Sequence, residues 1–148
     1  MTNDVTRDST CAARWSSAKV AHVRNLRKLF QSYQNGQADR YANTLGTFAE
    51  YGLCFDYVAP ETFTDQLEGY WRYQLSWGGP SDEFRFYSGS CGDHQPYRIS
   101  YVFLDWFDGH ERALSGSDLD LLRDVWRYFQ DTCATEAAYR AAYREDRS

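Results

Sequence analysis

Long hydrophobic runs are the first feature that the sequence lacks. Its longest apolar stretch covers the four positions 101–104 (YVFL), whereas a membrane-spanning helix needs about 18 apolar residues. The opening residues MTNDV also lack the charged and then apolar plan of a secretory signal peptide. These two absences predict a soluble protein of the cytoplasm. The 148 residues are enough for one ordinary domain.

Motifs that carry known chemistry are missing as well. The sequence has no phosphate-binding loop, no dinucleotide-binding glycine pattern, no paired-histidine zinc helix and no G-x-S-x-G nucleophile turn. It also has no C-x-x-C pair, which argues against a zinc ribbon or a dithiol redox centre. We therefore predict a protein that is not an enzyme, with no catalytic residue, metal or cofactor. Its four cysteines are expected to be free thiols: Cys11, Cys54, Cys91 and Cys133.

Two short segments nevertheless carry side chains suited to chemistry. Residues 105–111 (DWFDGHE) collect three acids and a histidine at a strand end, where carboxylates can form an acid–base pair or hold a hard cation. Residues 91–94 (CGDH) hold three ligand-type side chains. The favoured interpretation is a turn whose aspartates bond their own backbone for the first, and a glycine-rich loop for the second. Ion binding or catalysis by these segments is the third hypothesis for the function.

Aromatic residues are abundant, at 18% of the chain with 12 Tyr, 9 Phe and 5 Trp. Core aliphatic residues are correspondingly few. The sequence therefore predicts a core built from rings, with Tyr hydroxyls and Trp N–H groups reaching polar partners at its edge.

Charge is unevenly distributed along the chain. The net charge is -5, but residues 1–40 carry +4 and residues 41–148 carry -9. Nucleic-acid binding requires clustered Lys and Arg, so the acidic body is better suited to a basic protein surface. The first helix has a basic outer side formed by Lys19, Arg24, Arg27 and Lys28. That side is either solvated or a docking face for a nucleic acid or for a second copy of the chain, as in a homodimer.

Periodicity predicts helices and strands in the order α-α-β-β-β-β-α-α. Residues 1–15 are expected to form a flexible N-terminus and residues 16–148 a single α+β domain. Its sheet is predicted to be an antiparallel meander of about four strands with N-terminal and C-terminal helices packed on it. Residues 61–68 are expected to form a polar linker anchored by Phe63. The predicted helices span 16–33, 39–51, 117–131 and 135–144, and the predicted strands span 53–58, 70–77, 83–87 and 97–106.

The turn between the second and third strands is the best candidate for an interface. It places an aromatic anchor, Trp77, beside Asp82 and Glu83 on a glycine-rich and proline-rich turn. Aromatic residues are enriched among the residues that dominate binding energy. Asp82 and Glu83 are expected to form an acidic rim on this turn. The acids at the end of the strand predicted at 97–106 are expected to extend that rim. The predicted partner-binding residues are Trp77, Asp82, Glu83, Asp105, Asp108 and Glu111.

The central segments resemble those of small uncharacterised proteins carried on plasmids and integrative elements of proteobacteria. The likeness rests on FDYVAP at 55–60, YQLSWGGPSDEFRF at 73–86 and DWFDG at 105–109. In addition, GYW at 69–71 followed by LS-x-GG at 75–79 resembles a segment of the KlcA/ArdB antirestriction proteins. Trp77 stands where that family has Asn, and the spacing between the GYW half and the LS-x-GG half is one residue shorter than in that family.

This resemblance implies the context of a mobile genetic element. Anti-CRISPR and antirestriction proteins of such elements usually act by binding a nuclease complex, without performing chemistry. The leading hypothesis is therefore a non-enzymatic inhibitor of a host nucleic-acid-targeting defence complex. The second hypothesis is an accessory protein of plasmid transfer or replication that holds single-stranded nucleic acid on its basic helix and ring-rich sheet.

Overall fold

The computed structural model of the protein describes residues 3–36, 47–76, 80–89, 91–105 and 108–145. Three α-helices and five strands make up these parts of the chain, with one 3-10 turn at Phe48–Glu50. The helices are α1 (Asn3–Gln34), α2 (Gly116–Asp131) and α3 (Ala134–Glu145). The strands are β1 (Cys54–Val58), β2 (Tyr70–Ser76), β3 (Ser81–Tyr87), β4 (Arg98–Asp105) and β5 (Asp108–Ala113).

The strands form one antiparallel sheet in the order β1-β2-β3-β4-β5. Each strand pairs with its neighbour in the sequence, and the N-terminal and C-terminal helices pack on the sheet. The α+β class and the meander are therefore confirmed. The strand β5 adds a fifth strand to the approximately four that were predicted.

The strand β5 was predicted as a turn because its sequence, DGHERA, has almost no apolar residue. It nevertheless pairs with β4 over six consecutive positions, from Ser100 opposite Ala113 to Asp105 opposite Asp108. As the last strand it lies at an edge of the sheet. Charged side chains are common at such edges because they discourage pairing with another chain.

The register assigns alternate side chains to two faces of the sheet. One face is covered by helices and forms the core. Trp71 of β2 lies with its ring centroid 5.2 Å from that of Trp126 of α2, and Phe55 of β1 stacks on Phe129 at 4.0 Å. The predicted ring-built core is confirmed. Its buried strand residues include Trp71, Tyr73, Leu75, Phe84, Phe86, Ile99, Tyr101 and Phe103.

The helix α1 is longer than predicted. It begins at Asn3, so it includes most of the segment that was expected to be flexible. Val23, Leu26 and Phe30 are buried, whereas Val20 is largely exposed. Leu26 lies six positions after Val20, which places their side chains about 120° apart around the helix. Buried Trp15 and Leu29 complete the side of the helix that faces the core.

The remaining helix predictions have different outcomes. Most of the helix predicted at 39–51 lies outside the described residues, and Phe48–Glu50 forms a single 3-10 turn. The helices α2 and α3 occupy the predicted regions, and the predicted break between them falls at residues 132–133. Cys133 adopts the left-handed conformation there, with φ of 63°. None of the helices in the described ranges is long and apolar enough to cross a membrane.

Candidate partner-binding cleft on the open sheet face

No helix of the described residues packs on the second face of the sheet, which is called the open face here. Its small apolar cluster consists of Val58, Tyr70 and Tyr87, and no helix residue belongs to it. The open face differs from the core face because charged side chains dominate it. Strand alternation puts there the side chains of Asp56, Arg72, Glu83, Arg85, Arg98 and Glu111.

Each arginine of the open face is paired with a carboxylate. Arg72 donates to both oxygens of Asp56, at 3.0 and 2.7 Å. Arg85 donates to Glu83 at 2.7 Å and to Glu111 at 3.3 Å. Bidentate and multiple contacts of this kind fix the guanidinium planes.

Two of these pairs also include a tyrosine ring. The guanidinium of Arg85 lies 4.5 Å from the ring centre of Tyr70. The guanidinium of Arg98 lies 3.9 Å from the ring centre of Tyr87. The same guanidinium donates a hydrogen bond to Glu68 at 2.7 Å. The open face thus contains two sets of one ring, one arginine and at least one carboxylate.

The pKa values show that these groups keep their charge states near neutral pH. Burial raises the pKa of the Tyr70 hydroxyl to about 12. Burial also raises the pKa of Tyr87, and its hydrogen bond to Glu111 raises it further. Burial alone would lower the pKa of Arg85, but the Glu83 and Glu111 carboxylates outweigh it and raise the pKa. The tyrosines remain neutral and the arginine remains charged, so none of them is suited to proton transfer at neutral pH.

Residues 59–69 form an ordered loop, called the 59–69 loop here, between β1 and β2. Gln66 holds it together: its side-chain Nε2 donates to the carbonyl oxygens of Ala59 and Glu68, at 3.0 and 2.8 Å. Its Oε1 accepts the backbone N–H of Phe63 at 3.0 Å. Glu61 and Asp65 have positive φ angles of 66° and 61°. Non-glycine residues adopt that conformation only where the surrounding structure holds it.

This loop exposes its apolar side chains. Phe63 is 52% exposed and Leu67 is 84% exposed, so the prediction that Phe63 anchors a polar linker is wrong. The Gln66 side chain holds the loop together through hydrogen bonds, and the apolar side chains of the loop point toward solvent. The exposed carboxylates of Glu61 and Asp65 have no hydrogen bond or ion pair with any described residue.

A cleft of about 550 Å³ lies between the 59–69 loop and the open face. Three carboxylates and one guanidinium line it, which gives the lining a net charge of two negative. Rings and aliphatic carbons supply the rest of the wall. The lining residues that matter here are Phe63, Asp65, Leu67, Glu68, Arg85 and Glu111.

Two of the predicted interface acids lie inside the protein. Asp82 and Glu83 are 3% and 2% exposed. The strand β3 begins at Ser81, so both residues lie in the ladder between β2 and β4 instead of on the preceding turn. In this conformation they do not form the acidic rim that was predicted. The turn residues 77–79, with the predicted anchor Trp77, lie outside the described residues.

Asp82 belongs to a polar cluster between α1 and the sheet. Its carboxylate accepts the hydroxyls of Ser76 and Tyr101, each at 2.5 Å, and lies 2.7 Å from Nε2 of His22. Nδ1 of His22 lies 2.7 Å from the hydroxyl of Tyr51. Burial alone would raise the pKa of Asp82, but hydrogen bonds from His22, Ser76 and Tyr101 outweigh it and hold the pKa below its ordinary value. The residues come from five separate segments, so no local pattern in the sequence indicated the cluster.

The other predicted acids are dispersed. Asp105 pairs with Arg14 of α1 at 2.5 Å. The backbone of Asp108 begins β5. Glu111 lies on the open face, where it accepts the hydroxyls of Tyr87 and Ser100 at 2.6 and 2.5 Å. Among the predicted residues whose side chains the structure describes, Glu111 is the one that lines the cleft.

The segments considered for ion binding have local partners. The Cys91 thiol donates to Asp93 at 3.2 Å, and this hydrogen bond raises its pKa. The backbone oxygen of His94 accepts the Trp126 indole N–H at 3.1 Å. In the part of the chain that the structure describes, no group of three His, Cys, Asp or Glu side chains could hold a metal ion.

No family model, curated protein or solved structure matches this chain significantly. The candidate site therefore rests on its own geometry.

Proposed function

We propose that the protein is a non-enzymatic inhibitor that binds a host nucleic-acid-targeting defence complex, of the CRISPR or restriction type, through its 59–69 loop. One observation carries the proposal: an ordered loop exposes Phe63 and Leu67 close in sequence to the carboxylates of Glu61 and Asp65, which have no partner among the described residues. The mobile-element context comes from the sequence resemblance and is part of the proposal.

The loop has the properties of a binding element. Exposed apolar side chains gain free energy when a partner covers them, at about 25 cal/mol per Å². Gln66 already fixes the loop backbone through three hydrogen bonds. Binding therefore costs less conformational entropy than it would for a flexible segment. A ring and a leucine side chain on a fixed loop are suited to fill pockets of a partner.

The charge of the loop favours a basic partner surface. Glu61, Asp65 and Glu68 surround the two apolar side chains, and all three are exposed. Complexes that bind nucleic acids present Lys and Arg to the phosphates. An acidic loop with apolar anchors complements such a surface and would compete with the nucleic acid for it.

The open face itself is poorly suited to hold single-stranded nucleic acid, which was the second hypothesis. Base stacking needs accessible rings, but Tyr70 and Tyr87 are buried beneath guanidinium groups. Phosphate binding needs unpaired cations, but Arg72, Arg85 and Arg98 each pair with a carboxylate. These contacts favour a protein partner over a nucleic acid.

The proposal is tested by capture of purified CRISPR effector complexes and restriction enzymes at physiological salt. We expect the wild-type protein to retain at least one of them, and a Phe63→Ser/Leu67→Ser double variant to lose it. Val20→Ser is the matched control, because Val20 is a similarly exposed apolar residue on the outer side of α1. Capture of none of these complexes, or equal capture by the double variant, would contradict the proposal. Salt-sensitive retardation of single-stranded DNA in a gel would favour the accessory-protein hypothesis instead.

A further inference from the structure

The two ring–arginine–carboxylate sets of the open face have an incomplete counterpart in the cleft. In the complete sets, Arg85 lies on Tyr70 and pairs with Glu83 and Glu111, while Arg98 lies on Tyr87 and pairs with Glu68. The cleft also contains a ring and a carboxylate that belong to neither set, those of Phe63 and Asp65. No described residue supplies an arginine to this ring or an ion pair to this carboxylate.

We propose that the cleft beside the 59–69 loop binds an arginine side chain of the partner protein. The guanidinium lies on the ring of Phe63 and pairs with Asp65, and its aliphatic stem contacts Leu67. This inference rests on the proposed function, because it names the side chain by which a basic partner is recognised.

The charge and size of the cleft both fit this ligand. The lining carries a net charge of two negative, so a cation is attracted and an anion is repelled. The volume of about 550 Å³ lies within the range of roughly 300–1,000 Å³ that is typical of ligand clefts. It is therefore large enough for one long side chain with the adjoining main chain.

Arginine fits better than lysine for a reason visible in the protein itself. A guanidinium is planar and weakly hydrated, so it stacks on a ring while its edge donates to a carboxylate. Arg85, which lines the cleft, and Arg98, which pairs with Glu68 of its lining, each lie over a tyrosine ring in this way. A lysine ammonium can pair with Asp65, but it cannot do so while presenting a flat face to Phe63.

The test uses uncharged Gly/Ser peptides with one central arginine, lysine or citrulline. Binding is followed by NMR through the backbone amide shifts of the 59–69 loop. Citrulline keeps the shape of arginine without its charge. We expect saturable shifts with the arginine peptide, weaker binding of the lysine peptide, and no saturable shift with the citrulline peptide.

Two variants locate the binding site. Asp65→Asn is expected to weaken binding of the arginine peptide about fivefold, and Asn tolerates the left-handed backbone at this position. Phe63→Leu keeps an apolar side chain but removes the ring, and is expected to weaken binding about threefold. Asp120→Asn removes the same charge from the exposed side of α2 and is expected to leave binding unchanged.

The outcomes separate this inference from the proposed function. Equal binding of the citrulline or lysine peptide, or shifts outside the cleft, would overturn the arginine site. If the arginine peptide does not bind while Phe63→Ser/Leu67→Ser still abolishes capture of a defence complex, the inference is wrong and the proposed function stands. If the arginine peptide binds as expected but no defence complex is captured, the cleft is supported and the proposed function is wrong.

Discussion

Asp82 and Asp65 are the same residue type in contrasting surroundings. Asp82 lies between α1 and the sheet and accepts hydrogen bonds from Ser76 and Tyr101. Asp65 is exposed, with no such partner among the described residues. Removing the charge at Asp82 therefore acts on stability, whereas removing it at Asp65 acts on binding.

At the residue scale, we predict that Asp82→Asn destabilises the protein by about 3 kcal/mol. The substitution breaks a buried set of charged hydrogen bonds and leaves donors without their acceptor. Urea unfolding at neutral pH measures the loss, and Asp120→Asn is the surface control. A loss no larger than that of the control would contradict the prediction.

The effect of Asp82→Asn on the free energy of unfolding should depend on pH. The folded pKa of Asp82 lies below its ordinary value of 3.8, so the unfolded chain takes up the proton first as the pH falls. The carboxylate therefore stabilises the fold fully above about pH 5, and this contribution is lost as the pH falls through the folded pKa. Asp82→Asn should accordingly lose less stability than the wild type between about pH 5 and pH 2.

At the scale of elements, Gln66 determines whether the 59–69 loop is ordered. We predict that Gln66→Ala reduces the global free energy of unfolding by no more than about 1 kcal/mol, since the loop lies outside the main core. Amide hydrogen exchange at Phe63 should accelerate strongly, because its N–H loses the Gln66 acceptor. Gln66→Ala should also weaken the capture of a defence complex, because the 59–69 loop is then less ordered. Gln95→Ala, an exposed change in another loop, should affect neither measurement.

Elements differ in how well the sequence predicts them. The strands β2 and β3 were recognised because apolar and polar residues alternate along them, as in Trp71-Arg72-Tyr73. The strand β5 was missed because an edge strand needs no apolar stripe. Its place is set by pairing with β4, which no local pattern encodes.

The candidate site was largely missed for a similar reason. The 59–69 loop is ordered by one glutamine side chain bonded to backbone groups, and a bond of this kind leaves no periodicity in the sequence. Phe63 was expected to anchor this otherwise polar segment, but its ring is 52% exposed. Glu111 was predicted as a partner-binding acid, and the structure places it in the cleft. Its partners Tyr87 and Ser100 come from other strands, so no local pattern in the sequence indicated them.

At the scale of the whole molecule, the basic first helix pairs with the acidic body of its own chain. Lys19 and Arg27 lie 3.0 and 3.6 Å from Asp118 of α2, and Arg14 pairs with Asp105. Part of the basic side that was considered for a second copy or a nucleic acid is thus used within the chain. Arg24 and Lys28 remain exposed.

We predict that Asp118→Asn lowers the free energy of unfolding by about 1 kcal/mol at low salt, since it weakens two partly exposed ion pairs at once. The loss should shrink at 1 M salt, where the Debye length falls to about 3 Å. Denaturant unfolding at the two salt concentrations measures both effects. A loss that does not depend on salt would show that packing, and not charge, holds α1 against α2.

The meander also bears on the order in which the protein folds. Neighbouring strands pair after short connections, whereas the Trp15 indole reaches the Tyr101 carbonyl across 86 residues of sequence. Hairpins close at a lower entropic cost than such distant contacts. The sheet should therefore assemble early, with α1 docking after the rate-limiting barrier. In stopped-flow kinetics, Ile99→Ala in β4 should then slow refolding, whereas Leu26→Ala in α1 should mainly accelerate unfolding.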